Sequence, residues 1–416
     1  MTDGGPTSTG PVTRSSVARI GLATAASALC GYAVLYLAAR DLEPAGFSVF
    51  GVFWGAFGLV TGAANGLLQE ATREVRSSPV HDRNQRPSTH PMWIAAAVGA
   101  VAATVIAVSS PLWGAHLFAE SPVLSVVLLS LGLAGFCLHA TLLGMLAGGN
   151  RWSEYGALMV TDAGIRVVVA GVAFSVGWGL AGFLWATVAG AGAWLIMMIA
   201  APAARLAAGM RTAGHPTVFL RGAAHSIAAA GASAVLVMGF PVLLKATTGE
   251  LGAAGGVAIL AVTLTRAPLL VPLTAMQGNL IAHFVDQRHH RLQALLVPAA
   301  LIAGLGALGV IAAGVLGPWL LQAAFGDEYR TGGTLLAWLT AAGVAVAMLT
   351  LTGAATVAAA LHRAYATGWI AATVAAIGLL LLPVGLETRT VIALLCGPLV
   401  GIVVHLAALA RESASG

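Results

Sequence analysis

Three charged residues sit where an apolar sequence would hold none, and they define the chemistry it could perform. Asp162 and Arg166 lie four residues apart in one apolar run; Arg266 stands alone in another, Val262-Thr-Leu-Thr-Arg-Ala-Pro-Leu-Leu-Val-Pro. A charge placed in hydrocarbon costs about 2.5–3.5 kcal/mol on insertion scales, so each demands a reason. The i, i+4 spacing puts Asp162 and Arg166 on one helical face within ion-pairing reach. Such a pair either neutralises itself while knitting helices together or meets a substrate. Arg266 has no acid in its own run. Pro268 and Pro272 follow it at once, and each frees a backbone carbonyl, which is tolerated only where a helix lines protein or a wet cavity. A guanidinium halfway along a span cannot reach the interface by snorkelling. Arg266 is therefore expected to face a hydrated central cleft and to bind an anion there. Phosphate suits it best, because the planar fork donates two parallel hydrogen bonds and keeps its charge in low dielectric. The alternative is an ion pair with Asp162 across the molecule.

Milder polar groups accompany these. Thr61, Asn65 and Gln69 recur at i, i+4, i+8 and end at Glu70 and Arg73. This stripe either looks across the molecule at Arg266 and Gln277 or makes hydrogen bonds between neighbouring helices. Histidines 139, 225, 283 and 405 show no metal-binding spacing; His225 is the one with a place for a protonatable group. Cys30, Cys137 and Cys396 fall inside apolar runs and are expected to be free thiols.

The elements that must carry these residues are read from composition. Of 416 residues, 58% are hydrophobic and 8% charged, and the mean hydropathy is +0.90. That is a membrane protein, since soluble domains average about 25% charged residues. Twelve spans of about 20 residues use about 60% of the chain, which leaves no room for a separate catalytic or nucleotide-binding domain. No G-x-x-x-x-G-K-[ST] loop is present to cradle ATP, so any energy source is a gradient, the membrane potential or the substrate itself. No cofactor is called for, and the net charge of +5 concerns topology rather than nucleic acid.

Apolar runs place spans near 17–38, 47–69, 92–113, 121–147, 155–176, 180–201, 225–245, 252–282, 293–317, 333–360, 364–386 and 389–410. On alternate connections fourteen cations fall on one side and four on the other, the four being Arg40, Lys245, Arg330 and Arg389. Cationic loops are translocated reluctantly, so both termini are expected in the cytoplasm. The connection 70–91, with Arg73, Arg76, Arg83 and Arg86, either touches anionic headgroups or serves topology alone. Pro111-Leu-Trp with Phe118 and Glu120 is echoed 207 residues later by Pro318-Trp-Leu with Phe325 and Asp327. Gln69 and Gln277 repeat the pattern at 208. A parallel duplication follows. The expected organisation is a disordered tail (1–16), an N lobe (17–201), a cytoplasmic linker (202–224), a C lobe (225–410) and a short tail (411–416). A substrate site would lie between the lobes near the bilayer midplane.

Three segments resemble a known family: Arg40-Asp-Leu-Glu-Pro-Ala-Gly-Phe-Ser-Val-Phe with Trp54 and Gln69-Glu-Ala-Thr-Arg; Thr265-Arg-Ala-Pro-Leu; and Phe325-Gly-Asp-Glu-Tyr-Arg. They are similar to bacterial polysaccharide flippases of the O-antigen type, in the multidrug, oligosaccharidyl-lipid and polysaccharide (MOP) exporter superfamily. The likeness runs from about residue 17 to 410. It implies a MATE-like, all-α fold of twelve helices in two lobes and a non-enzymatic role in the bacterial plasma membrane. The implied activity moves an undecaprenyl-diphosphate-linked oligosaccharide from the inner to the outer leaflet. The implied partners are membrane lipids and the glycosyltransferases and polymerase of surface-polysaccharide synthesis. By that resemblance Arg266, with Arg166 second, would hold the diphosphate. The competing readings are a multidrug/cation antiporter of the same superfamily, a major-facilitator transporter, and a membrane glycosyltransferase or O-acyltransferase.

Overall fold

The computed structural model describes residues 14–77, 89–213, 215–287 and 290–415. The predicted tail at 1–16 lies almost wholly outside these, as do Arg83, Arg86 and Arg288. The helices are α1 (Arg14–Asp41), α2 (Glu43–Ser77), α3 (Pro91–Leu117), α4 (Pro122–Gly148), α5 (Trp152–Val176), α6 (Gly179–Ala189), α7 (Ala193–Ala200) and α8 (Pro202–Ala208). There follow α9 (Pro216–Val237), α10 (Phe240–Thr248), α11 (Gly252–Asp286), α12 (Arg291–Ala294), α13 (Leu296–Phe325), α14 (Gly333–Ala358), α15 (His362–Leu380) and α16 (Leu386–Ser415). Among the described residues, twelve spans are long and apolar enough to cross a membrane, α6 and α7 together forming the sixth. An even number returns both ends of the described chain to one side, here called the termini face. Lipid-facing apolar residues stud the outside, with Leu112 82% and Val315 72% exposed.

Proline sets several helix starts. Pro91, Pro122, Pro202 and Pro216 each stand in the first turn, where a missing N–H costs nothing. Pro216 also moves the seventh span. It was expected at 225–245 but runs from Pro216 to Val237 and breaks at Met238-Gly239 before Pro241, so residues 240–248 form the separate α10. The apolar run alone could not show this, because the break carries no charge. The sixth span is also not continuous: a 3-10 turn, Gly190–Gly192, interrupts it.

α2 is the hub. It packs against α4 in its own half of the chain and against α9 and α11 of the other half, while α1 lies on α5. Glycines make the α2–α9 joint close. A Cβ on Gly66 would fall 2.3 Å from the Ile227 backbone nitrogen, and one on Gly62 2.7 Å from the Ala234 Cβ. Small residues are what let helices approach in lipid, where no hydrophobic drive exists between them. In the second half, α14 touches α11, α13 and α16, and α15 pairs with α16.

Candidate substrate-binding site

Arg266 lies midway along α11 and is 7% exposed. It does not open on a cleft in this conformation, contrary to the expectation from sequence. Its Nε donates to the Val262 carbonyl one turn earlier at 3.2 Å, and its Cγ lies against Gly343 of α14, where a Cβ would stand 3.3 Å away. Its Nη1 is buried without a hydrogen-bond partner among the described residues. Tyr32 of α1 lies within electrostatic reach, and no acid does among the described residues. The alternative ion pair with Asp162 is not formed. Tyr32 and Gly343 were not identified from sequence; an apolar run containing one Tyr gives no signal that it faces a distant Arg.

Asp162 is already engaged. Arg166 donates to it through Nε at 3.2 Å and Nη2 at 2.9 Å, and the two side chains are 18% and 14% exposed. The remaining nitrogen, Nη1, donates to the Thr187 carbonyl of α6 at 2.6 Å. Thr187 is four residues ahead of Ala191, in the 3-10 turn where the sixth span leaves α-helical register. The guanidinium also lies over the Phe57 ring of α2 at 5.4 Å. A Cβ on Gly190 would fall 2.3 Å from Asp162 Oδ1, so the turn's backbone seats the pair. Arg166 thus ties α5, the bend of the sixth span and α2 together. The sequence offered the pair but not the bend, since Gly190-Ala-Gly resembles many other small-residue stretches here.

The polar stripe divides. Thr61 is buried and its hydroxyl donates to its own helix at Phe57 O, 2.7 Å; Asn65 is half-buried and Gln69 exposed. The close approaches of α2 to α11 occur elsewhere, at Pro44 against Gly256 and Gly51 against Ile259. Gln277 is half-buried in the termini-face part of α11, beyond both prolines. The structure therefore does not gather Thr61, Asn65, Gln69 and Gln277 around Arg266. At the termini face Glu70, 2% exposed, is held by Arg73 Nε at 3.0 Å and presses on Gly222 of α9.

The histidines are mostly packing groups. His139 is buried and stacks on Phe136 at 5.3 Å. His405 Nε2 donates to Tyr365 O at 3.2 Å, and its Nδ1 lies 3.0 Å from the Thr352 hydroxyl, which also lies 3.1 Å from Leu349 O. His225 is exposed in α9 and donates to Arg221 O at 2.7 Å.

No family profile matches the chain. It is 70% identical over 403 residues to the Mycobacterium tuberculosis protein Rv3630, covering 97% of this chain and 94% of that one. It is 65% identical over 414 residues to Rv1510 of the same organism, covering 99% and 96%. Both relatives are uncharacterized. Among solved structures, an inward-facing multidrug resistance MATE family transporter of the MOP superfamily superposes with a TM-score of 0.70 at 15% identity, covering 92% of this chain and 95% of the other. The outward-facing form gives 0.64 at 15%, covering 96% of each. The chain belongs to the family of the mycobacterial proteins Rv3630 and Rv1510, and it is a twelve-span membrane protein with the MATE transporter fold.

Proposed function

We propose that this protein is a flippase that carries an undecaprenyl-diphosphate-linked oligosaccharide from the inner to the outer leaflet of a bacterial plasma membrane, with both termini cytoplasmic. The observation that carries this reading is Arg266: a guanidinium buried in a proline-interrupted span, with Nη1 unpaired and no acid beside it among the described residues. An unpaired buried donor costs about 1–3 kcal/mol, and more when charged, so the protein holds a site that an anion would relieve. In this reading two lobes, 17–201 and a second that begins with the seventh span at Pro216 and runs to 410, rock about Arg266, and the diphosphate meets it as they part. α1 and α11 share little contact, which supports a lateral route by which the polyprenyl tail stays in lipid while the headgroup passes inside. Moving the diphosphate outward across a negative-inside potential gains about 2.3 kcal/mol per charge per 100 mV, so voltage can bias direction. Glycosyltransferases would supply the substrate and a polymerase would consume it.

The competing reading is a multidrug/cation antiporter, because the structural neighbours are multidrug resistance MATE family transporters. A cation carrier needs an acid free to exchange ions. Asp162 accepts from two N–H groups of Arg166, the Nε one shared between both carboxylate oxygens, which weighs against that role. Reconstitution decides between them. Proteoliposomes holding the protein should translocate a fluorescent undecaprenyl-diphosphate glycan, and Arg266→Ala should stop this. Proton- or sodium-driven efflux of lipophilic cations, insensitive to Arg266→Ala, would overturn the proposal.

A further inference from the structure

On the face opposite the termini, aromatic side chains cross from one half of the chain to the other. α13 ends at Phe325, and Gly326 takes a φ of 102° to turn the chain into a short 3-10 helix, Asp327–Tyr329. Glycine adopts that backbone without strain and other residues do not. The turn directs Tyr329 into a socket. Its ring is 1% exposed, edge-on to Phe47 of α2 at 6.1 Å and tilted against Phe325 at 5.8 Å. Phe325 also lies 5.6 Å from Tyr36 of α1. Nearby on the seam, Ile259 of α11 presses on Gly51. The echoing segment after the third span behaves differently. Phe118 packs on Phe53 of α2 and Trp113 of α3, inside the first half of the chain. In the later copy these ring contacts cross between the halves.

The Tyr329 hydroxyl is buried without a partner among the described residues. Burial, then Glu328 and Glu43 nearby, push its ionisation above the ordinary phenol range, so it stays neutral. Edge-to-face ring packing holds the residue in, while the unpaired hydroxyl would gain water on leaving. That balance suits a fastening which must also release.

We propose that residues 326–330 form a strap: Tyr329, seated between Phe47 and Phe325, holds the face opposite the termini closed and must unseat before that face opens. The inference rests on the transporter reading but not on its substrate. It is tested with Cys30, Cys137 and Cys396 replaced by Ala and Ile259→Cys as reporter, itself 3% exposed on the seam. A membrane-impermeant maleimide is applied to either side of sealed vesicles. Tyr329→Ala should speed labelling from the face opposite the termini by roughly 5- to 150-fold, the scale of losing two aromatic pairs. Tyr329→Phe should label no faster than the parent, because the lost hydroxyl made no bond. If Tyr329→Ala does not fold, Tyr329→Leu should show a smaller rise in the same direction. Parental labelling rates in a variant that melts like the parent would overturn the strap, as would equal acceleration from both faces. No transport enters the readout, so a wrong substrate assignment leaves this result standing.

Discussion

Replacing Arg266 by Met separates a guanidinium kept for an anion from one kept for the fold. Met has similar length and packs on Gly343 as the Arg stem does, but removes the charge and the unpaired Nη1. The Nε bond to Val262 O is lost too, but that carbonyl keeps its place in the α11 backbone ladder, so the variant should still recover most of the penalty of an orphaned buried donor, about 1–3 kcal/mol. Unfolding entropy scaled to 416 residues turns that into a melting temperature roughly 1–3 °C higher in detergent. Had Arg266 been one partner of a buried ion pair, breaking it would cost about 3–5 kcal/mol and lower the melting temperature by several degrees. The signs are opposite, which makes the assay decisive. The second arm adds undecaprenyl diphosphate, with undecaprenol as the phosphate-free control. At a hundred times its Kd, a ligand that binds only the folded protein stabilises it by about 2.7 kcal/mol. The parent should respond to the diphosphate but not the alcohol, Arg266→Lys partly, and Arg266→Met not at all. A Met variant that melts below the parent, or that still responds to the diphosphate, refutes the reasoning.

Other expectations follow from the same geometry. Arg166→Lys keeps a cation but cannot bond Asp162 twice and Thr187 O at once, so stability measured by thermal melting should fall by about 1–3 kcal/mol, with the diphosphate response retained. Exchanging the charges at 162 and 166 should not rescue it, because a carboxylate cannot donate to the Thr187 carbonyl; recovery of the parental melting temperature would contradict this. Gly66→Leu should wedge α2 from α9 and abolish transport even if the chain inserts, checked by a proteoliposome assay alongside melting. The raised Tyr329 pKa gives a pH sign: its contribution to stability is present below the ordinary phenol value of 10.0 and lost as pH rises above it. Melting measured at increasing alkaline pH should therefore decline less steeply in Tyr329→Phe.

The count of spans and the special status of Arg266 were legible because hydrocarbon punishes charge and rewards long apolar runs, and both leave marks in a single sequence. The bend at Gly190 and the break at Gly239 were not, because glycine among alanines changes backbone register without changing hydropathy. The i, i+4 spacing of Asp162 and Arg166 gave their pairing but not their third partner, since Thr187 is a carbonyl contact and any residue could supply it. The expectation that the Thr61 stripe would look towards Arg266 assumed that equivalent helices meet face to face along their whole length. Their close approaches instead lie near the end opposite the termini, at Gly51 and Pro44. Tyr32 was out of reach for a related reason: nothing in the order of residues says which helix crosses which.

The joint between α2 and α9 has a physical consequence for how the molecule would respond to its surroundings. Where Gly62 and Gly66 meet Ala234 and Ile227, backbone comes close to backbone and small groups. Parting such surfaces exchanges one thin layer of dispersion contacts for another made with acyl chains. The energy of opening would then depend as much on how readily the surrounding lipid fills a narrow crevice as on the protein. Ordered, thick bilayers would favour the apposed state and fluid ones the parted state, so membrane composition itself would act as an effector of turnover.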